Sequence, residues 1–336
     1  MLLGVIVAAV CILGVTVVLT AHHAPVTITQ KIGDLSYIDP TTDGPDWDRL
    51  IGSTVGKVGI VVVNVSSGPG DGPDPAWTSV IQREHATGTK VLGYVDTGYF
   101  GTTGLRTRLG STSEADWTSQ IEQDVNAWYA FYGSGIDGIF FDEGQDACGP
   151  TSGSNAWVDL YSRSNAYVKA NHPGAMTAIN PGRVVPRCYE NAGDVLVTFE
   201  GSYDTYVSHY TPLSWNPVDP FKIWHLIYGA STQADMEKAV SLSKRREAGY
   251  VYVTDDVQPD PYDTLPSLSY WADEEGTVAP GGSQDSTPPS VPLTPSHSSV
   301  GSIEVSFSWA AKQLGCRVVE FWRSECHQDL DRLDRS

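Results

Sequence analysis

The chain has 336 residues, enough for one large domain with an appendage, a length of roughly 250 residues being typical of a single barrel domain. Forty Asp and Glu against 21 Lys and Arg give a formal charge of -19, which argues against a polyanionic partner such as nucleic acid and leaves neutral or cationic ligands open. Solubility of an exported protein is the plain reading of that charge.

Residues 2–19 (LLGVIVAAVCILGVTVVL) are an unbroken apolar run with no charged residue, read as an export segment. No Lys or Arg precedes the run, and its length approaches that of a membrane span. A signal within residues 1–24, cleaved near Ala21 or Ala24, is expected, with a retained anchor that leaves the domain outside the cell as the alternative. A start codon assigned too late would also explain the missing basic residues.

From residue 32 onward, short apolar runs alternate with amphipathic stretches of helical period, the pattern of repeated βα units on a parallel sheet. Strands are read at 34–38, 57–65, 90–95, 136–141, 176–180, 194–199, 222–228 and 249–253. Runs such as VGIVVV are apolar throughout, as expected of parallel strands covered on both faces. Asp74 reads as an N-cap with Pro75 behind it and Gly88 past the helix end; Thr232, with Asp235 three residues on, opens another helix that Gly249 should stop. Between Ser113 and Gly133, Trp117, Ile121, Val125, Trp128 and Tyr132 recur at helical spacing and read as a core-facing stripe rather than a sugar platform. Eight such units predict a (β/α)8 TIM barrel over residues 28–274, an open doubly wound sheet being the alternative.

Residues 275–296 shift to Gly, Pro, Ser and Thr, a linker composition. The segment 297–336 opens like a fibronectin type III module but is too short to complete two sheets. From Lys312 it fits no strand pattern, which a frameshift or truncation would explain, and it is assigned no function. Cys11 lies in the export segment and Cys316 and Cys326 in this tail, leaving Cys148 and Cys188 in the barrel. In an oxidising compartment those two are expected to be bonded, buried free thiols being the alternative. The chain has no C-x-x-C and no H-E-x-x-H, so neither a metal nor a cofactor is expected.

In a barrel of this kind the active site lies at the C-terminal ends of the strands, and the residues ending the predicted strands are polar and acidic. They are Asp39, Asn64, Asp96, Asp142 with Glu143, Asn180, Glu200, the Tyr228 region, and Asp255 with Asp256. Asp142 and Glu143 directly follow a wholly apolar strand, where a carboxylate is costly unless the chain has reached the open rim. In DVLVTFEG, alternation puts Leu196, Thr198 and Glu200 on one face; the polar Thr198 marks that face as the lumen side, so Glu200 should point into the mouth. Glycoside cleavage needs one protonated and one ionised carboxyl, and Asp142, Glu143 and Glu200 supply such a set. Adjacent residues on a strand point to opposite sides, so Asp142 and Glu143 converge only if the chain bends after strand four, a bend that Gly144 would allow. Tyr37, Tyr94, Tyr99, Trp224 and Tyr228 stand where aromatic faces can stack on sugar rings, and only one of Trp224 and His225 can face the lumen. The loop SSGPGDGP lacks G-K-[ST] and reads as a tight rim loop rather than a phosphate cradle.

The runs VVNVSSGPG (62–70), VLGYVDTGYFG (91–101), WYAFYGSGIDGIFFDEG (128–144) and VTFEGSY (197–203) together resemble the spherulin-4 family, glycoside hydrolase family 135. The resemblance spans roughly residues 33–257 and implies an endo-acting hydrolase of α-1,4-linked N-acetylgalactosamine in microbial galactosaminogalactan. It also implies catalytic roles for a consecutive Asp-Glu pair and a later Glu, which fall on Asp142, Glu143 and Glu200. The strand-two loop, NVSSGPG where Asn-Pro-Asn-Ser-Gly-Pro-Gly is expected, departs from the family, as does the C-terminal appendage. Asp39, Asn64, Asp96, Tyr99, Asn180, Trp224, Tyr228 and Asp255 are the expected substrate-binding residues. The expected partner is a polysaccharide outside the cell. A polygalactosaminidase acting on deacetylated polymer and a non-catalytic cell-wall or developmental binding protein are the alternatives.

Overall fold

The computed structural model describes residues 28–278. Residues 2–19, expected to be an export segment, nearly all of the expected linker, the segment 297–336 and Cys11, Cys316 and Cys326 lie outside the described residues. Strands β1 (Lys31–Ser36), β2 (Val58–Val63), β3 (Lys90–Asp96), β4 (Gly138–Asp142), β5 (Met176–Ile179), β6 (Val195–Ser202), β7 (Ile223–Tyr228) and β8 (Tyr250–Val253) close into a barrel in chain order. Every neighbouring pair is parallel, and β1 returns to β8 through Lys31 and Ile32.

Parallel neighbours require crossovers, and helices supply most of them. They are α1 (Gly44–Ile51), α2 (Pro75–Ala86), α3 (Glu114–Tyr132), α4 (Ala156–Asn171), α5 (Tyr203–His209) and α6 (Gln233–Arg245), with α7 (Leu268–Val278) following β8. Between β5 and β6 a 3-10 turn at Arg187–Asn191 takes the place of a helix. The architecture is therefore the expected (β/α)8 barrel with one helical position reduced to a turn.

Local chemistry sets several of these boundaries. The Asp74 carboxylate accepts from the amides of Ala76 and Trp77, satisfying two orphan donors at the start of α2, and Pro75 stands where no donor is needed. Thr232 does the same for Asp235 at the start of α6. That helix stops earlier than Gly249, at Arg245, because Glu247 turns left-handed (φ 58°); Gly249 instead lies against the backbone of Phe221 at the entrance to β8. The α3 stripe is core: Trp117, Ile121, Val125, Trp128 and Tyr132 are all buried. Strand β1 begins three residues before its expected start, since Lys31, Gly33 and Asp34 interrupt the apolar pattern by which a buried strand is recognised.

The barrel interior is filled by large side chains. Trp224 on β7 meets Phe140 on β4 across the barrel (ring centroids 5.7 Å apart) and donates its indole N–H to the Gly33 carbonyl on β1 at 3.1 Å. Strands four and seven are not neighbours, so this contact fixes Trp224 as a lumen residue and His225 as facing the helices. A Cβ on residue 33 would fall 2.7 Å from the Trp224 ring, which is why β1 carries a glycine there.

Cys148, after β4, is bonded to Cys188, in the 3-10 turn after β5, with their Cα atoms 6.0 Å apart. The bridge ties the one crossover without a helix to the loop that follows Asp142 and Glu143. Closing a loop of 40 residues should stabilise by roughly 3 to 4 kcal/mol in the chain-entropy model. Cys148→Ser paired with Cys188→Ser should lower the denaturation midpoint accordingly. Two free thiols in non-reducing peptide maps of the protein would refute the bridge.

Candidate active site

Carboxyl groups from two strands meet at the C-terminal mouth. Asp142 ends β4 beside Asp96, its register partner on β3, and Glu200 lies on β6. Asn180, directly after β5, stands between them: its amide nitrogen donates to Asp142 Oδ1 at 2.8 Å and to Glu200 Oε2 at 2.7 Å. The amide is oriented because its oxygen accepts from the Gly182 N–H at 2.9 Å, leaving both amide hydrogens for the carboxylates. The Tyr94 hydroxyl donates to Asp142 Oδ2 at 2.8 Å and the Tyr262 hydroxyl to Glu200 Oε1 at 3.0 Å. Tyr37 packs edge-on against both tyrosines, so an aromatic wall underlies the pair.

Burial and mutual repulsion govern protonation here. Burial first, then the charge of Asp142, pushes Glu200 up to about 7, against the pull of hydrogen bonds from Asn180 and Tyr262. Asp142 is also raised, mainly by burial and further by Asp96, while Tyr94, the Glu143 amide and Asn180 stabilise its ionised form. Two carboxyls sharing one bridging amide cannot both ionise easily, so the pair holds a proton near neutrality. Asp142 receives the larger set of donors, and Glu200 keeps the proton.

Glu200 reaches the mouth by a route that simple alternation misses. Between Val197 and Phe199 the pairing of β6 with β7 slips by one residue, and Thr198 lies outside the barrel, where its hydroxyl is 3.2 Å from His225 Nε2. His225 Nδ1 is in turn 2.8 Å from the Tyr206 hydroxyl on α5. Thr198 and Phe199 both face the helices, and this bulge restores Glu200 to the lumen side. The expected direction of Glu200 holds, but Thr198 does not mark the lumen face. Burial, then Arg246, lowers His225 to about 3, so it stays neutral and structural.

Glu143 carries the bend after β4 itself, with φ 57°. Gly144 is not the hinge: a Cβ there would lie 2.9 Å from the Asn180 backbone, so this glycine serves close packing of two loops. Burial, then the charges of Glu143, Asp142 and Glu200, raises the Tyr99 hydroxyl. Tyr99 thus lies within the electrostatic reach of all three carboxyls.

The other expected binding residues separate into groups. Asn180, Tyr99 and Asp96 belong to the cluster, although the Asp96 carboxylate also accepts from the Gly98 amide and so builds the adjoining turn. Tyr228 ends β7 half-buried, opposite Ser202. Asn64 accepts from the Gly68 amide and braces its own loop. Asp39 is exposed, three residues beyond the end of β1, with its carboxylate accepting from the Thr41 amide in a turn; Asp255 is exposed on the loop after β8. Trp224 has no exposed surface and packs the barrel interior instead of lining the mouth. Tyr262 was missed because it lies nine residues beyond β8, past the reach of a strand-end rule; the rigid composition of DPYDTLP is the signal that marks its loop.

A family model described as spherulation-specific family 4 matches residues 32–278. Spherulin-4 of Physarum polycephalum is 25% identical over 250 residues, covering 70% of this chain and 67% of that protein. The crystal structure of Aspergillus clavatus Sph3 in complex with GalNAc is similar with a TM-score of 0.58 at 21% identity, covering 74% of this chain and 98% of that one. The likeness to Sph3 extends to the barrel fold.

Proposed function

This chain belongs to the spherulation-specific family 4, and on that premise we propose that it is an exported endo-glycosidase of an amino-sugar-containing polysaccharide, with α-1,4-linked N-acetylgalactosamine as the favoured polymer. The observation that carries the reading is the Asp142–Asn180–Glu200 bridge. Asp142 Oδ1 and Glu200 Oε2 lie within hydrogen-bond reach of one nitrogen, so these two oxygens are about 5.5 Å apart at most, a close approach that supports the retaining arrangement.

Glu200, holding its proton near neutral pH, donates it to the leaving glycosidic oxygen. Asp142, ionised and fixed by Tyr94 and Asn180, attacks the anomeric carbon, and Glu200 then takes a proton from the water that releases the sugar. Glu143 orients the sugar's 2-substituent beside Tyr99. The GalNAc bound in the Aspergillus relative supports the amino-sugar preference. The Cys148–Cys188 bridge supports an oxidising, extracellular setting.

Digestion of a panel of microbial exopolysaccharides, with mass spectrometry of the products, tests this. Internal cleavage of acetylated polymer is expected; exclusive cleavage of deacetylated polymer would favour a polygalactosaminidase, and no cleavage of either would favour a binding protein. If the charge of -19 also serves capture, hydrolysis of partly deacetylated, cationic polymer should weaken as salt rises while that of acetylated polymer does not. An equal salt response leaves the charge to solubility alone.

A further inference from the structure

Consecutive residues on an extended strand point to opposite sides, so Asp142 and Glu143 can serve one mouth only if the chain bends where they stand. The chain achieves this by holding Glu143 left-handed, at φ 57°, a region that a residue with a side chain leaves unless its surroundings fix it. We propose that Thr97 is the positioning residue that fixes it, acting through the backbone of the Asp142–Glu143 dipeptide. This rests on the reading of Asp142, Glu143 and Glu200 as the catalytic set.

Thr97 follows β3 directly and is wholly buried. Its hydroxyl lies 2.7 Å from the Asp142 carbonyl and 3.0 Å from the Glu143 carbonyl, so its single hydrogen is shared by the two oxygens. Its amide also donates to the Asp142 carbonyl, at 3.3 Å. On the other side, the buried Tyr161 hydroxyl of α4 donates to the Glu143 carbonyl at 3.2 Å and accepts from the Gln145 amide at 2.9 Å. Both carbonyls flanking the bend are thereby held, and a buried carbonyl turned away from these donors would lose its partners. The next residues make the same region a rigid unit: Gly98, Tyr99, Phe100 and Gly101 are all left-handed, and the Phe100 amide donates to the Thr97 carbonyl at 2.8 Å. One threonine thus joins the turn that carries Tyr99 to the bend that carries Glu143.

Thr97→Val removes the hydroxyl at constant shape, and Thr97→Ser restores it. Thr97→Val should lower kcat roughly 10-fold or more with KM changed less than about 2-fold, the scale expected of a misplaced catalytic group. Thr97→Ser should recover most of that loss. Tyr161→Phe is the second probe and should lower kcat in the same sense. In crystals of Thr97→Val, Glu143 should leave the left-handed region or lose its fixed carboxyl position. A folded Thr97→Val with unchanged kcat and pH profile, or with Glu143 still ordered at positive φ, would overturn the role of Thr97. If the wild type cleaves no polymer in the panel, the enzymatic reading itself falls, and the crystal structure of the variant still decides whether Thr97 sets the bend.

Discussion

Replacing Glu200 by Gln should lower turnover of the natural polymer at least ~100-fold, the usual scale of general acid/base participation, and Asp142→Asn should do the same. The fold should survive both changes, because Gln and Asn keep the shape and the buried charge is what the site tolerates least. The two variants separate on substrates whose leaving group needs no proton. Glu200→Gln should regain much of the first step with a fluoride leaving group, whereas Asp142→Asn should stay slow, since the nucleophile is missing whatever departs. For the wild type, kcat/KM should fall as pH rises past about 7, where Glu200 gives up the proton it must donate, and should fall in acid as Asp142 is neutralised. Near-normal turnover in both folded variants would remove these residues from the mechanism and direct attention to Asp96 and Asp255.

What the sequence disclosed and what it hid divide along the reach of the interactions involved. Strands such as VGIVVV and the Trp117–Tyr132 stripe were legible because burial on a repeating face writes a local period into the chain. Asp142 and Glu200 were legible because a parallel barrel has one functional end and a carboxylate after an apolar strand marks it. The bulge at Thr198 was not, since it depends on His225 and Tyr206, a strand and a helix away. Nor was the bend at Glu143, whose conformation is set by Thr97, 46 residues upstream in sequence. Gly144 drew the bend in the sequence reading because glycine is the usual left-handed residue, and only the Asn180 backbone shows that it is needed for close approach. Tyr262 reaches Glu200 from 62 residues away, through a loop no strand-end rule covers. Trp224 carries no local sign of whether it lines the mouth or fills the barrel; only Phe140 and Gly33 decide.

Outside the mouth, between the sheet and its helices, the barrel should be more stable in mild acid than in base. Asp34 on β1, Glu84 on α2 and Glu274 on α7 are all buried, and Asp34 Oδ1, Glu84 Oε2 and Glu274 Oε2 have no hydrogen-bond partner among the described residues. Asp34 accepts from Ser36, Glu274 from the Val253 amide, and Thr89 and Thr87, then Arg83, give Glu84 partial relief, but burial dominates at each group. Burial, together with repulsion from Glu84, pushes Asp34 up to about 7 from 3.8; Glu84 is raised and Glu274 well raised, the latter also by Asp34 and Glu275. A carboxyl raised on folding binds its proton more tightly in the native state, so its stabilisation is complete below the unfolded value and is lost as pH climbs through the folded one. For Asp34 that window runs from about pH 4 to 7, and the loss is on the order of 4 kcal/mol, with the two glutamates adding in the same direction. Asp116, lowered by the hydroxyls of Ser111 and Ser113, acts oppositely and only in stronger acid. Urea midpoints should therefore decline steadily between pH 5 and pH 8, and Asp34→Asn, neutral at every pH, should flatten much of that slope. A wild-type midpoint that is level or rises across this range would show that the cluster is relieved by water or a cation and does not hold its protons.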